Sequence, residues 1–287
     1  MDSKSFIKYI SSLLLFGLNG IVASHIPLSS YKIVFLRTLI GSILLMFLFL
    51  LGKGKFHIKA YKKDTAFIAL SGIAMGTSWM FLYEAYQQIG VSLASLLYYC
   101  GPVIVMILSP IIFRERLTVP KILGFVIALV GLVLVNGNAV NDSSSSWGVF
   151  CGIMSGVMYF FMVTLNKQSK SISGMENSVI QLVVGFVTVA IFMGIKQGIV
   201  INLPANAWIW ALILGIVNTG FGCYLYFSSL AKLPAQTVAV FGYLEPLSAV
   251  VFAALLLGET MIIIQIVGAV CIIGGAMLGE LVKPKKS

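Results

Sequence analysis

The sequence predicts an all-α integral membrane protein: ten transmembrane helices in two five-helix repeats of inverted topology, with both termini cytoplasmic. Three observations carry that expectation. Of the 287 residues, 59% are hydrophobic and only 10% charged, with a mean hydropathy of +1.03. Soluble domains carry roughly 25% charged residues, so this chain cannot cover a water-facing surface. Apolar runs of about 20 residues, enough for ~30 Å of hydrocarbon, follow one another with short breaks. Finally, the second half of the chain repeats the first at a constant offset.

The runs fall at 6–26, 30–52, 64–86, 91–113, 118–137, 146–168, 176–198, 206–229, 235–257 and 260–282. They leave no room for a soluble domain. Lys4 and Lys8 precede the first run as in a signal peptide, but no small-x-small cleavage site follows, so it is read as retained. The connections are short, apart from a basic loop after the second run and a polar one, NGNAVNDSSSSW, after the fifth. The expected organisation is a first repeat over 1–137, an outer linker over 138–145, a second repeat over 146–282 and a basic cytoplasmic tail over 283–287.

The repeat is read from residues that hydrophobicity does not explain. An offset of 144 pairs Gly41 with Gly185, Gly76 with Gly220, Tyr99 with Tyr243, and Pro102 with Pro246. It also pairs Glu115 with Glu259, Gly124 with Gly268, and Gly131 with Gly275. Five spans per half is an odd number, so the second half enters the membrane from the opposite side. Inverted repeats of this kind place a substrate site near the midplane between the halves.

Charge orients the chain. With the N-terminus inside, 16 Lys and Arg residues fall in cytoplasmic segments and two, Lys32 and Lys196, in outer ones, while Arg37 lies within a span. This is the positive-inside bias. It accounts for the net charge of +10 as topology, with no nucleic-acid partner implied. The cysteines, Cys100, Cys151, Cys223 and Cys271, stand singly in spans and read as packing residues. The sequon at Asn141 has meaning only in an organism that glycosylates. His25 and His57 are the only histidines, and no HExxH, P-loop or dinucleotide motif occurs. No enzyme activity, metal or cofactor is expected, so any pumping draws on an ion or substrate gradient.

The segment FLRTLIG at 35–41 and a P-x12-E pattern with trailing glycines in each half recur together. The two copies are Pro102, Glu115, Gly124, Gly131 and Pro246, Glu259, Gly268, Gly275. On these residues the chain resembles the drug/metabolite transporter superfamily, specifically its tandem EamA-type ten-helix members. The resemblance covers nearly the whole chain. It implies a multi-pass protein of the cytoplasmic or inner membrane that moves small metabolites, by export of amino acids and other solutes or by uptake.

Ionisable residues deep in the spans are few. Glu245 lies near the centre of the ninth, and intramembrane carboxylates serve function by default, here as a substrate or proton-coupling site. Its alternative is a structural partner for Arg37, which lies roughly 10 Å deep at 1.5 Å per residue and competes between that ion pair and an anionic substrate group. The offset matches Glu245 with Gly101 and Arg37 with Gln181, so neither charge belongs to the repeated scaffold. Glu84, near an outer interface, reads as solvated.

Aromatic residues form a second constellation. Trp79, Tyr83, Tyr99 and Tyr243 are candidates to line the site, since buried tyrosines need hydrogen-bond partners and aromatic faces suit an amine. Tyr98, Tyr159, Tyr224 and Tyr226 share the helices expected around it, and Asn19, Asn166 and Asn218 are further polar candidates. Tyr86, Trp147 and Trp208 are assigned to interfacial belts. Pro102 and Pro246 are expected to kink their helices, and Glu115 and Glu259 to tie the N-terminus of the next helix. Small-xxx-small spacing at Gly72/Gly76, Gly152/Gly156 and Gly275/Gly279 suits packing within the chain ahead of a homodimer. The expected function is secondary transport of a small amine-bearing or amino-acid-like solute by alternating access, by export or proton exchange. Uptake of an organic cation such as choline is the alternative, and a channel-like or scaffold subunit is the rival from another class.

Overall fold

The structure, a computed structural model, describes residues 2–136, 145–196, 198, 200–257 and 262–281. Residues 138–144 of the expected linker, the tail over 283–287 and Glu259 lie outside them. Apolar helices occupy every expected run: α1 (Ser3–Ser24), α2 (Ser30–Leu51), α3 (Lys62–Ile89), α4 (Leu93–Ile112), α5 (Val119–Val135), α6 (Ser146–Gln168), α7 (Gly174–Lys196), α8 (Ala205–Leu230), α9 (Ala235–Leu256) and α10 (Ile263–Gly279). Eight of these are long and apolar enough to cross a membrane, and α5 and α10 are shorter.

The two halves meet through glycine. A Cβ at Gly131 would stand 2.6 Å from the carbonyl oxygen of Gly268, and one at Gly268 would stand 2.7 Å from that of Gly131. Gly124 and Gly275 face each other in the same way. The earlier glycine of α5 meets the later one of α10, so these helices run antiparallel. The repeat offset carries Gly124 to Gly268 and Gly131 to Gly275, so exchanging the halves maps this contact set onto itself. That is the relation an inverted repeat requires. The other two glycine pairs also pack within the chain: Gly72 and Gly76 against α7, and Gly152 and Gly156 against α4.

Three spans are interrupted, and two of the interruptions obey the repeat. In the region of α4 the helical segments are Val91–Tyr98 and Cys100–Ile112, and in that of α9 they are Ala235–Phe241 and Leu244–Leu257. The breaks therefore fall at Tyr99 and at its repeat partner Tyr243. Pro102 and Pro246 each stand third in the piece that follows. An amide in the first turn of a helix has no intrahelical partner, so proline is tolerated there. Instead of kinking a continuous helix, each proline opens a new one. α1 also divides, into Ser3–Gly17 and Asn19–Ser24. α8 contains a π-helical stretch, Ile213–Phe221.

Buried polar side chains tie helices together where lipid offers no hydrophobic drive. Asn166 Nδ2 donates to Asn177 Oδ1 at 3.0 Å and to Gln181 Oε1 at 3.1 Å, and Asn218 Nδ2 donates to the carbonyl of Leu15 at 2.8 Å. Both asparagines, expected as polar lining, are structural ties instead. Glu84 is also engaged, accepting from Trp147 Nε1 at 3.2 Å.

Glu115 corrects a further expectation. Its carboxylate caps the start of α9, in the other half of the chain, and not the next helix. Oε1 accepts from the amide of Ala235 at 2.6 Å and Oε2 from that of Gln236 at 3.1 Å. Lys167 Nζ donates to the carbonyl oxygens of Leu230, at 3.2 Å, and Leu233, at the end of α8. The turn between α8 and α9 is thus gripped by a cation at its carbonyl end and an anion at its amide end, the arrangement helix dipoles favour. Gln236 completes the seam, donating to Ser109 Oγ at 3.0 Å and accepting from Lys121 Nζ at 2.9 Å. Glu115→Ala leaves two first-turn amides without these partners. It is expected to lower stability by about 1–3 kcal/mol, read as a fall in melting temperature of the purified protein. A parent-like melting curve would show the cap to be dispensable.

Candidate substrate-binding site

A cavity of about 580 Å³ lies between the halves, within the range of small-molecule sites. Its wall is drawn from α1, α2, α3 and α4 of the first half and α6, α8, α9 and α10 of the second. Its lining includes Leu13 and Ala23 of α1, Ser30 of α2, Met162 of α6, Phe227 of α8 and Ala254 of α9. The helix breaks contribute part of its polar lining. Where α9 stops at Phe241 and restarts at Leu244, the first turn of the new helix carries Glu245 into the wall. The matching break in α4 brings Tyr98, Tyr99 and Pro102 to the same cavity.

Of the predicted residues, Glu245, Arg37, Trp79, Tyr83 and Tyr99 all line this space, as do both prolines. Tyr243 does not. It is 0% exposed, packed between Tyr99 and Phe125 at ring-centroid distances of 6.1 and 5.8 Å, and its hydroxyl has no hydrogen-bond partner among the described residues. Tyr224 also stays out of the wall, beneath the Lys8 ammonium at 5.1 Å. Tyr86, assigned from sequence to an interfacial belt, lines the cavity instead, with its hydroxyl 3.4 Å from Ser95 Oγ. Trp79, Tyr83 and Tyr86 follow at i, i+4 and i+7 on α3, and that spacing puts all three on one face.

Two lining tyrosines meet across the second half: Tyr159 and Tyr226 bring their hydroxyls to 3.2 Å. Tyr98 packs edge-on against Tyr159, centroids 5.5 Å apart. The carboxylate of Glu245 faces this aromatic wall with no hydrogen bond or ion pair among the described residues. Arg37 lines the same cavity, and no ion pair joins the two. Its Nε donates to Thr219 Oγ1 at 2.9 Å, and its guanidinium carbon lies 4.9 Å from the Trp79 ring centroid. Thr219 is the residue sequence reasoning missed. Nothing in an apolar span containing one threonine marks it, because a π-turn is what delivers its hydroxyl.

Residues 4–137 and 146–279 each match the EamA-like transporter family. The chain belongs to that family. Among relatives, it is 27% identical to the uncharacterized transporter YxxF of Bacillus subtilis, over 96% of this chain and 89% of the relative. It is 25% identical to the uncharacterized transporter YoaV of the same organism, over 85% and 84%. A solved crystal structure superposes with a TM-score of 0.84 at 16% identity, covering 98% of this chain and 99% of that one, a likeness of fold. The protein is accordingly a multi-pass membrane transporter of the drug/metabolite superfamily, with a small-molecule cargo and the lipid bilayer as its surroundings.

Proposed function

We propose that this EamA transporter moves a small amine-bearing metabolite across the cytoplasmic membrane by alternating access, as an exporter or proton-linked exchanger. The observation that carries the reading is Glu245: one unpaired carboxylate on a helix break, facing tyrosines in a cavity shared by both halves. A carboxylate at membrane depth is retained where it has a charge to meet, and aromatic faces add cation–π attraction for an ammonium. With 1–137 and 146–282 as inverted units, exchanging their conformations opens the same cavity to either side. The seam of Glu115, Gln236 and Ser109 joins the first half to the second, so it has to part when the basic end opens.

The test is counterflow. Protein reconstituted in liposomes and loaded with an unlabelled amino acid or amine is expected to accumulate the labelled solute, saturably and transiently. Flux that never saturates would assign a channel, and no flux with any solute of the panel would assign a scaffold. Uptake of a permanently charged cation such as choline is the second reading, favoured by the same carboxylate and aromatic wall. Arg37 in that wall repels such a cargo.

A further inference from the structure

Arg37 is only 5% exposed, yet among the described residues it has no acidic partner and its terminal nitrogens make no hydrogen bond. A guanidinium at membrane depth is costly unless an anion meets it. What the fold provides is orientation without neutralisation. Thr219 Oγ1 donates to the carbonyl of Leu214, five residues back, at 2.8 Å, the spacing of the π-helix in which it sits. That leaves the oxygen's lone pairs to accept from Arg37 Nε at 2.9 Å, while Trp79 lies against the guanidinium at 4.9 Å. With Nε tied and one face on an aromatic ring, the two terminal nitrogens form a fixed fork on the cavity wall. That fork matches a carboxylate's two oxygens.

We propose that Arg37 is a carboxylate subsite, positioned by Thr219 and Trp79, and that the cargo is a zwitterion bridging Arg37 and Glu245. This rests on the reading that Glu245 takes the amine. The two opposite charges share one cavity without meeting, so a purely cationic solute leaves Arg37 bare and a purely anionic one leaves Glu245 bare. The repeat supports a ligand role over an architectural one. Arg37 corresponds to Gln181, which is spent on Asn166, and Thr219 corresponds to Met75, so the second half builds no counterpart.

The experiment compares matched probes. Neutral α-amino acids and the amines formed by removing their carboxylates are screened by thermal shift and then by counterflow. In the parent, at least one amino acid is expected to bind tenfold or more tightly than its amine. Arg37→Lys, which keeps the charge and loses the fork, is expected to remove that tenfold preference while changing the amine's own affinity less than twofold. Thr219→Val, of the same shape, is expected to reduce the preference severalfold while changing the amine's own affinity less than twofold. Equal losses for amine and amino acid in both variants would assign Arg37 a structural role and overturn the proposal. Amines transported while amino acids are refused would overturn it and leave the transport reading standing. No flux with either probe would overturn both.

Discussion

Glu245→Gln is expected to abolish concentrative transport of an amine-bearing solute under an imposed pH gradient, with the protein still folded. The substitution keeps side-chain volume and removes the charge, so the aromatic wall and the break in α9 stay as they are. What it removes is the one carboxylate that faces the cavity's tyrosines among the described residues. Deleting one partner of a desolvated charge pair costs about 2–5 kcal/mol, which is about 30-fold or more in affinity. An amide also has no proton to exchange, so any pH-driven accumulation should vanish along with tight binding. If Glu245→Gln transports and couples to protons like the parent, the role proposed for this residue is wrong.

Gly275→Leu is expected to force α5 and α10 apart, with loss of the monodisperse protein from detergent extracts. A Cβ at Gly275 would meet backbone on the opposite helix, the carbonyl of Gly124 and, at 2.7 Å, the amide nitrogen of Ala128. Backbone cannot rotate away as a side chain can, so α5 and α10 have to separate. Their remaining contacts, including Gly131 against Gly268, separate with them. Overpacking a soluble core costs about 1–3 kcal/mol and sometimes more. Here close packing is the main attraction between helices, because lipid is as apolar as the side chains. The neighbouring Gly274 supplies the control: its Cβ position is open, so Gly274→Leu should behave as the parent. Normal assembly of both variants would remove the glycine seam from the account of stability.

The spans and the repeat were legible because each depends on local composition. A run of apolar residues of membrane length has one stable solution in lipid, a helix with its backbone bonded to itself. The offset of 144 was visible because glycine and proline mark backbone requirements, close approach at Gly124 and Gly131, a helix start at Pro102 and Pro246. Glu245 and Arg37 stood out for the complementary reason, that charge in a span needs a cause. Both charges in the cavity wall, and both prolines, could be named on those grounds.

The errors share an origin too. Tyr243 and Tyr99 are repeat partners and look alike in sequence, yet Tyr243 is enclosed in the core and Tyr99 reaches the cavity, because different neighbours pack against each. Glu115 was matched to the nearest helix in sequence, whereas the helix end it caps is brought to it from 120 residues away. Thr219 became relevant only when α8 took a π-turn. Local composition was enough to give the number of apolar spans, their relation as two halves, and the charges the membrane had to accommodate. Which side chains share one cavity, and which carbonyl, amide or guanidinium each one meets, was decided by tertiary packing, since those contacts join helices whose mutual rotation no local pattern sets.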